Sequence, residues 1–104
     1  MNDLALPGAG QPPRVLVLDD DRFMLEVLDD MLHSIGVRDI YLEASTRRAL
    51  STLAEQGPDV LICDLALPDM DGIEFLTAAA ERGFRGKVIL LSGIGVCSTR
   101  AKSR

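Results

Sequence analysis

Short apolar segments alternate along this chain with longer amphipathic ones. Four strand-like segments occupy positions 15–18, 37–43, 60–63 and 88–91. Between them, apolar residues recur at helical spacing over 22–35, 44–56 and 73–82. Continuous apolar runs are typical of strands buried on both faces, and the helical period is typical of helices that pack on a sheet. The alternation predicts βαβ units and an α/β fold with a doubly wound parallel sheet.

The same spacing predicts which side chains face the core. The expected core residues of the first helix are Met24, Val27, Leu28, Met31 and Ile35; those of the second are Ala49, Leu50 and Leu53; those of the third are Ile73, Leu76 and Ala80, flanked by Phe75 and Ala79.

Polar and small residues mark where the helices begin and end. We expect Asp21 and Ser45 to cap the first two helices at their amino ends. Gly36 and Gly57 follow those helices, where a residue with positive φ commonly ends a helix.

The ends of the chain lack this periodicity. Residues 1–13 contain three of the five prolines and are predicted to be a flexible leader. Residues 94–104 show no apolar face and are predicted to be an irregular tail. The folded domain is expected to span 14–93.

Composition narrows the class of protein. A chain of 104 residues allows one domain, and a net charge of −5 argues against a nucleic-acid surface, which requires a basic face. No apolar run reaches the ~20 residues of a membrane helix and no signal pattern opens the chain, so we expect a cytoplasmic protein. The two cysteines, Cys63 and Cys97, form neither a disulfide framework nor a metal motif.

Acidic residues follow two of the predicted strands directly. The run Asp19–Asp21 follows the first strand, Asp64 follows the third, and Ser92 follows the fourth. Right-handed crossovers bring the carboxyl ends of parallel strands to one edge of the sheet, where ligands of open α/β sheets bind. These polar groups are therefore expected to converge in one crevice, with the chemistry centred on Asp64.

Several carboxylates in one crevice repel each other unless a cation neutralises them. Magnesium suits such a site because it prefers one or two carboxylates and leaves coordination positions for phosphate oxygens. With Mg²⁺ bound, one carboxylate could attack a phosphoryl group. The hydroxyl of Ser92 would then donate to a phosphoryl oxygen, beside the accessible backbone of Gly93.

Three motifs resemble those of the receiver domain of two-component response regulators. They are Val-Leu-Val-Leu-Asp19-Asp20, Asp64-Leu-Ala-Leu-Pro68-Asp-Met-Asp71-Gly72 and Val-Ile-Leu-Leu-Ser92-Gly93, within residues 14–93. The resemblance implies a flavodoxin-like fold with strand order 2-1-3-4-5. It also implies a signalling domain rather than an enzyme, phosphorylated by a sensor histidine kinase or a phosphotransfer protein.

The resemblance assigns roles to individual residues of the crevice. Asp64 corresponds to the phosphoacceptor, and Ser92 to the switch hydroxyl. Asp20 corresponds to a direct Mg²⁺ ligand, Asp19 to a water-mediated one, and the carbonyl of Ala66 to a further ligand.

The sequence also departs from the family pattern. Receiver domains place a lysine after a fifth strand, but only twelve residues follow Ser92, and Lys102 is too near to Ser92 to take that place. We therefore expect a receiver that has four strands and lacks its fifth βα unit. Such a truncation would expose the fourth strand as a sheet edge and favour a homodimer or strand exchange.

Two alternatives remain open. A receiver-like interaction or dimerisation module that is not productively phosphorylated would explain the missing lysine. A phosphatase similar to the haloacid dehalogenases would use Asp19 as its nucleophile and Asp21 as the second acid, although Phe23 stands where a threonine is usual. His33, a lone histidine on a predicted helix, is expected to be a surface residue rather than a phosphohistidine.

Overall fold

The computed structural model describes residues 12–67 and 70–91. These ranges contain the strands β1 (Arg14–Leu18), β2 (Asp39–Glu43), β3 (Val60–Asp64) and β4 (Lys87–Leu91), and the helices α1 (Arg22–Ser34), α2 (Thr46–Gln56) and α3 (Gly72–Glu81). Predictions that concern the leader up to residue 11, Pro68, Ser92 and the tail lie outside the described residues.

The four strands form one parallel sheet in the order β2-β1-β3-β4. This order confirms the doubly wound, flavodoxin-like arrangement predicted for these strands. Leu18 pairs with Glu43 on one side and with Cys63 on the other, so β1, β2 and β3 end nearly level. The residues that follow β1 therefore lie beside the end of β3, which places Asp19 and Asp20 near Asp64.

The helices cover the two faces of the sheet unequally. One face packs against α2 and α3 through a buried cluster that contains Leu16, Leu18, Ala49, Leu53, Leu61, Cys63, Phe75 and Ala79. The other face packs against α1 through Val15, Val17, Leu25, Leu32, Val37, Val60 and Ile62. The central strands β1 and β3 supply residues to both clusters, as expected for strands without a polar face.

The inward face predicted for α1 is wrong for Met31 and Ile35. Leu25 and Leu32 are buried instead, whereas the residues Met31 and Ile35 are 57% and 62% exposed. The sequence of α1 carries two overlapping apolar stripes, because Leu25, Leu28 and Leu32 also recur at helical spacing. The stripe that packs on the valines of β1 is the one that faces the core.

The inward face predicted for α3 is also rotated. Phe75 and Ala79 are fully buried, whereas Ile73 is 56% exposed and Ala80 is exposed. Burial of the large Phe75 ring removes more apolar surface from water than burial of Ala80 would, so packing favours the face that carries the ring. For α2, the predicted inward positions Ala49 and Leu53 are confirmed.

The predicted helix ends are confirmed by hydrogen bonds and backbone angles. Asp21 accepts from the main-chain N–H of Phe23, and Ser45 accepts from that of Arg48. Gly36 and Gly57 have φ angles of 98° and 57°, in the left-handed region that favours glycine. His33 lies on the surface as predicted, with its ring 3.3 Å from the Asp29 carboxylate.

Val88 and Ile89 of β4 are exposed apolar residues. Among the described helices, none is both long enough and apolar enough to cross a membrane.

Candidate functional site

Three carboxylates meet at the carboxyl edge of the sheet. Asp19 and Asp20 follow β1, and Asp64 is the last residue of β3. One oxygen from each side chain lies within 4.8 Å of the oxygens from the other two. Oxygens around one Mg²⁺ lie about 3 to 4.2 Å apart, because each is about 2.1 Å from the ion. The three carboxylates are therefore spaced closely enough to share a single cation, directly or through water.

Asp19 is the buried member of the cluster, at 3% exposure. Its main-chain N–H donates to the carbonyl of Glu43 at 3.1 Å, and its Oδ1 accepts from the N–H of Asp21 at 2.9 Å. Burial raises the pKa of Asp19 because it disfavours the charged form, and the nearby negative charges of Asp64 and Asp20 raise it further. The hydrogen bond from Asp21 acts in the opposite direction.

Asp64 is half-buried and is fixed by the turn that follows β3. The N–H of Ala66 donates to its Oδ1 at 3.1 Å, and the N–H of Leu65 donates to the carbonyl of Leu91 at 2.9 Å. The N–H of Gly72 donates to the carbonyl of Leu65 at 3.0 Å. A Cβ at Gly72 would lie 3.1 Å from both the Asp64 carbonyl oxygen and the Leu65 Cα, so this close approach favours glycine.

Asp71 begins α3 with a reciprocal pair of hydrogen bonds. Its side chain accepts from the N–H of Glu74 at 2.9 Å, and its own N–H donates to the Glu74 side chain at 3.2 Å. Asp71 is not among the helix caps predicted from the sequence. The acid followed three residues later by a glutamate is the sequence signal for this capping box.

Cys63 lies next to Asp64 but faces the core. It is fully buried, and its thiol donates to the Asp64 carbonyl at 3.4 Å. Burial, followed by the charges of Asp64 and Asp19, raises the pKa of Cys63 to about 12. The thiol is therefore protonated at neutral pH and packs as a small apolar group.

The residues expected at the site divide into two groups. The structure brings Asp19, Asp20 and Asp64 together, and it places Ala66 in the loop directly after Asp64, with an exposed position. Ser92 lies outside the described residues. The sequence did not predict the hydrogen bond from the main-chain N–H of Asp19 to the carbonyl of Glu43, because Glu43 belongs to another strand.

Comparison with known proteins identifies the family to which this chain belongs. Residues 15–103 match the family described as the response regulator receiver domain. The chain therefore belongs to the receiver domains of two-component signalling systems, as the motifs at the strand ends indicated.

Individual relatives agree with this class. The chain is 38% identical over 85 residues to a protein-glutamate methylesterase/protein-glutamine glutaminase of Myxococcus xanthus, covering 81% of this chain and 24% of that protein. It is 36% identical over 72 residues to the transcriptional regulatory protein TrcR of Mycobacterium tuberculosis, covering 69% and 28%. The chain thus spans about a quarter of the length of these curated relatives.

A solved structure shows the same fold. A CheY-like response regulator receiver domain from Methanospirillum hungatei superposes with a TM-score of 0.72 at 26% identity, over 81% of this chain and 66% of that one.

Proposed function

We propose that this domain receives a phosphoryl group on Asp64 from the phosphohistidine of a sensor histidine kinase or a phosphotransfer protein, with Mg²⁺ bound at the acid cluster. One observation carries the proposal: Asp64 at the end of β3 shares a cluster with Asp19 and Asp20, with one oxygen of each within 4.8 Å of the others. Membership of the receiver family supports the same assignment.

In this proposal the three acids have different roles. Asp20 is exposed and would coordinate Mg²⁺ directly, whereas the buried Asp19 would act through a water molecule. Asp64 and the carbonyl of Ala66 would complete the protein ligands. When bound, Mg²⁺ supplies positive charge that offsets both the carboxylates and the oxygens of the incoming phosphoryl group.

Asp64 is the nucleophile of the proposed step. Its Oδ1 accepts from Ala66, and its other oxygen attacks the phosphorus. The P–O bond forms as the P–N bond to the donor histidine breaks, and that electron pair returns to the imidazole ring. The product is an acyl phosphate on Asp64. A hydroxyl donor to the phosphoryl oxygens, assigned to Ser92 on sequence grounds, remains a prediction.

The proposal is tested with acetyl phosphate as a small phosphodonor. Wild-type protein with Mg²⁺ is expected to gain about 80 Da in intact-mass spectra, as one phosphoryl group adds. Asp64→Asn is expected to gain nothing, and Asp19→Asn to gain the adduct more slowly. Asp30→Asn removes an exposed acid of α1 and should match the wild type, which controls for the change in net charge. An adduct that persists in Asp64→Asn would contradict the proposal.

One observation favours the second candidate, an interaction module that is not productively phosphorylated. Within residues 12–67 and 70–91 the chain has one lysine, Lys87, which begins β4 and so lies at the opposite edge of the sheet from the acids. Absence of an adduct from the wild type, together with retained binding to a kinase, would support this candidate.

Two observations argue against the phosphatase alternative. The chain belongs to the receiver family, and Asp21, which would be its second acid, caps α1 through its bond to Phe23.

We also propose that the domain self-associates and that it is cytoplasmic. A homodimer or strand exchange is supported by the exposed apolar residues Val88 and Ile89 on β4. Sedimentation velocity at several protein concentrations tests self-association, and a mass that stays monomeric throughout would contradict it.

A further inference from the structure

Glu43, the last residue of β2, is connected both to the acid cluster and to α2. Its main-chain carbonyl accepts from the N–H of Asp19 at 3.1 Å. Its side chain accepts from the hydroxyl of Thr52 at 2.8 Å and lies 3.7 Å from the guanidinium of Arg48. Glu43 is thus the one residue through which these contacts join α2 to Asp19.

The two side-chain contacts of Glu43 differ in strength. The Arg48 side chain is 77% exposed, and an ion pair so open to water contributes little. The Glu43 side chain is only 19% exposed, and a short hydroxyl bond to a carboxylate is charge-assisted. Thr52 is therefore the stronger restraint on the end of β2.

We propose that Thr52 is a positioning residue for the Mg²⁺ site: through Glu43 it fixes the carboxyl end of β2, whose carbonyl in turn fixes the main chain of Asp19. This inference rests on the proposed Mg²⁺ site. In this role Thr52 contacts neither the ion nor the phosphoryl group. It restricts the movement of the Asp19 carboxylate, so that less ordering is needed when Mg²⁺ binds.

The test compares Thr52→Val with two other variants. Thr52→Val keeps the shape of the side chain and the net charge but removes the hydroxyl. Thr52→Ser keeps the hydroxyl and should rescue the effect. Thr77→Val is the matched control, because Thr77 lies on α3 and its hydroxyl bonds to the carbonyl of Ile73, away from the acids.

Mg²⁺ affinity is measured by isothermal titration calorimetry. Groups that orient metal ligands typically change affinity by about 10- to 100-fold, and this more remote one is expected to weaken Mg²⁺ binding about threefold to tenfold in Thr52→Val. Thr52→Ser and Thr77→Val should bind like the wild type. Wild-type affinity in Thr52→Val, or an equal loss in Thr77→Val, would overturn the inference.

Amide hydrogen exchange without Mg²⁺ gives a second readout that a general loss of stability does not mimic. The amide of Asp19 should exchange faster in Thr52→Val, because its bond to Glu43 opens more often. The amide of Gly72, which bonds to Leu65 on the other side of the site, should be unchanged. Equal acceleration of both amides would contradict a positioning role.

The outcome also separates this inference from the proposed function. A wild-type protein that fails to bind Mg²⁺ contradicts the proposed function itself. A wild type that binds Mg²⁺, together with a Thr52→Val variant that binds equally well, contradicts the positioning role alone.

Discussion

The main-chain N–H of Ala66 donates a 3.1 Å hydrogen bond to Oδ1 of Asp64. Among the described residues, no other hydrogen bond reaches this carboxylate. The bond turns one oxygen of Asp64 toward the loop and leaves the other available at the crevice. The loop that orients the proposed phosphoacceptor is therefore built by residues that immediately follow it in the chain.

Stability without Mg²⁺ should depend on the ionisation of Asp19. Burial raises the pKa of Asp19 above its ordinary value of 3.8. Between 3.8 and the raised pKa, the folded protein holds a proton that the unfolded chain has lost, so the free energy of unfolding falls as the pH rises through that interval. Asp19→Asn replaces the carboxyl group with an amide that does not ionise. We expect the free energy of unfolding of this variant not to fall over that interval, and to exceed that of the wild type at neutral pH.

The free energy of unfolding is measured by urea denaturation, followed by circular dichroism, in Mg²⁺-free buffer. The measurements are made at pH values below and above the interval over which Asp19 loses its proton. Asp30→Asn controls for the loss of one negative charge elsewhere. A wild type that gains stability relative to Asp19→Asn as the pH rises would contradict the burial argument.

Mg²⁺ should stabilise the folded protein. A ligand that binds only the folded state adds about 2.7 kcal/mol when its concentration is about 100 times the dissociation constant. Asp20→Asn removes the proposed direct ligand and is expected to weaken binding about tenfold, which corresponds to about 1.4 kcal/mol. Thermal unfolding with and without MgCl₂ measures this change. An Asp20→Asn variant that Mg²⁺ stabilises as much as it does Asp30→Asn would show that Asp20 is not a ligand.

The orientation of α3 predicts unequal costs for two neighbouring truncations. Phe75→Ala removes a fully buried ring and is expected to cost about 3–5 kcal/mol of unfolding free energy. Ile73→Ala truncates an exposed side chain and is expected to cost less than about 1 kcal/mol. Urea denaturation of both variants checks the difference. Equal costs, or a larger cost for Ile73→Ala, would contradict this orientation of α3.

The capping box should stabilise α3. Asp71→Ala leaves the N–H of Glu74 without its partner and is expected to cost about 0.5–2 kcal/mol. Asp71→Ser retains a capping oxygen and should recover most of this loss. The urea midpoints of the two variants measure the contribution of the cap. Identical midpoints for Asp71→Ala and Asp71→Ser would argue against it.

Local sequence signals predicted the elements of the fold. The strand ends and the caps at Asp21 and Ser45 follow from short-range rules, whereas the sheet order was implied by the resemblance to receiver domains. The inward faces of α1 and α3 did not follow from those rules. Each of those helices carries more apolar positions than the sheet covers, so long-range packing decides whether Leu32 or Met31 is buried.

The candidate site was predictable in part for a similar reason. Parallel strands bring Asp19, Asp20 and Asp64 to one edge, which the alternation of elements already implied. The link from Glu43 to Asp19 depends on the register between β1 and β2, and a hydroxyl such as that of Thr52 carries no sequence signal of its partner.

Mapping of the phosphoryl group tests the central claim most directly. The protein is treated with acetyl phosphate and Mg²⁺, reduced with borohydride, which converts an acyl phosphate to an alcohol, and sequenced by tandem mass spectrometry. We predict homoserine in place of Asp64 and an intact carboxylate at position 19. Homoserine in place of Asp19, or at neither position, would contradict the account.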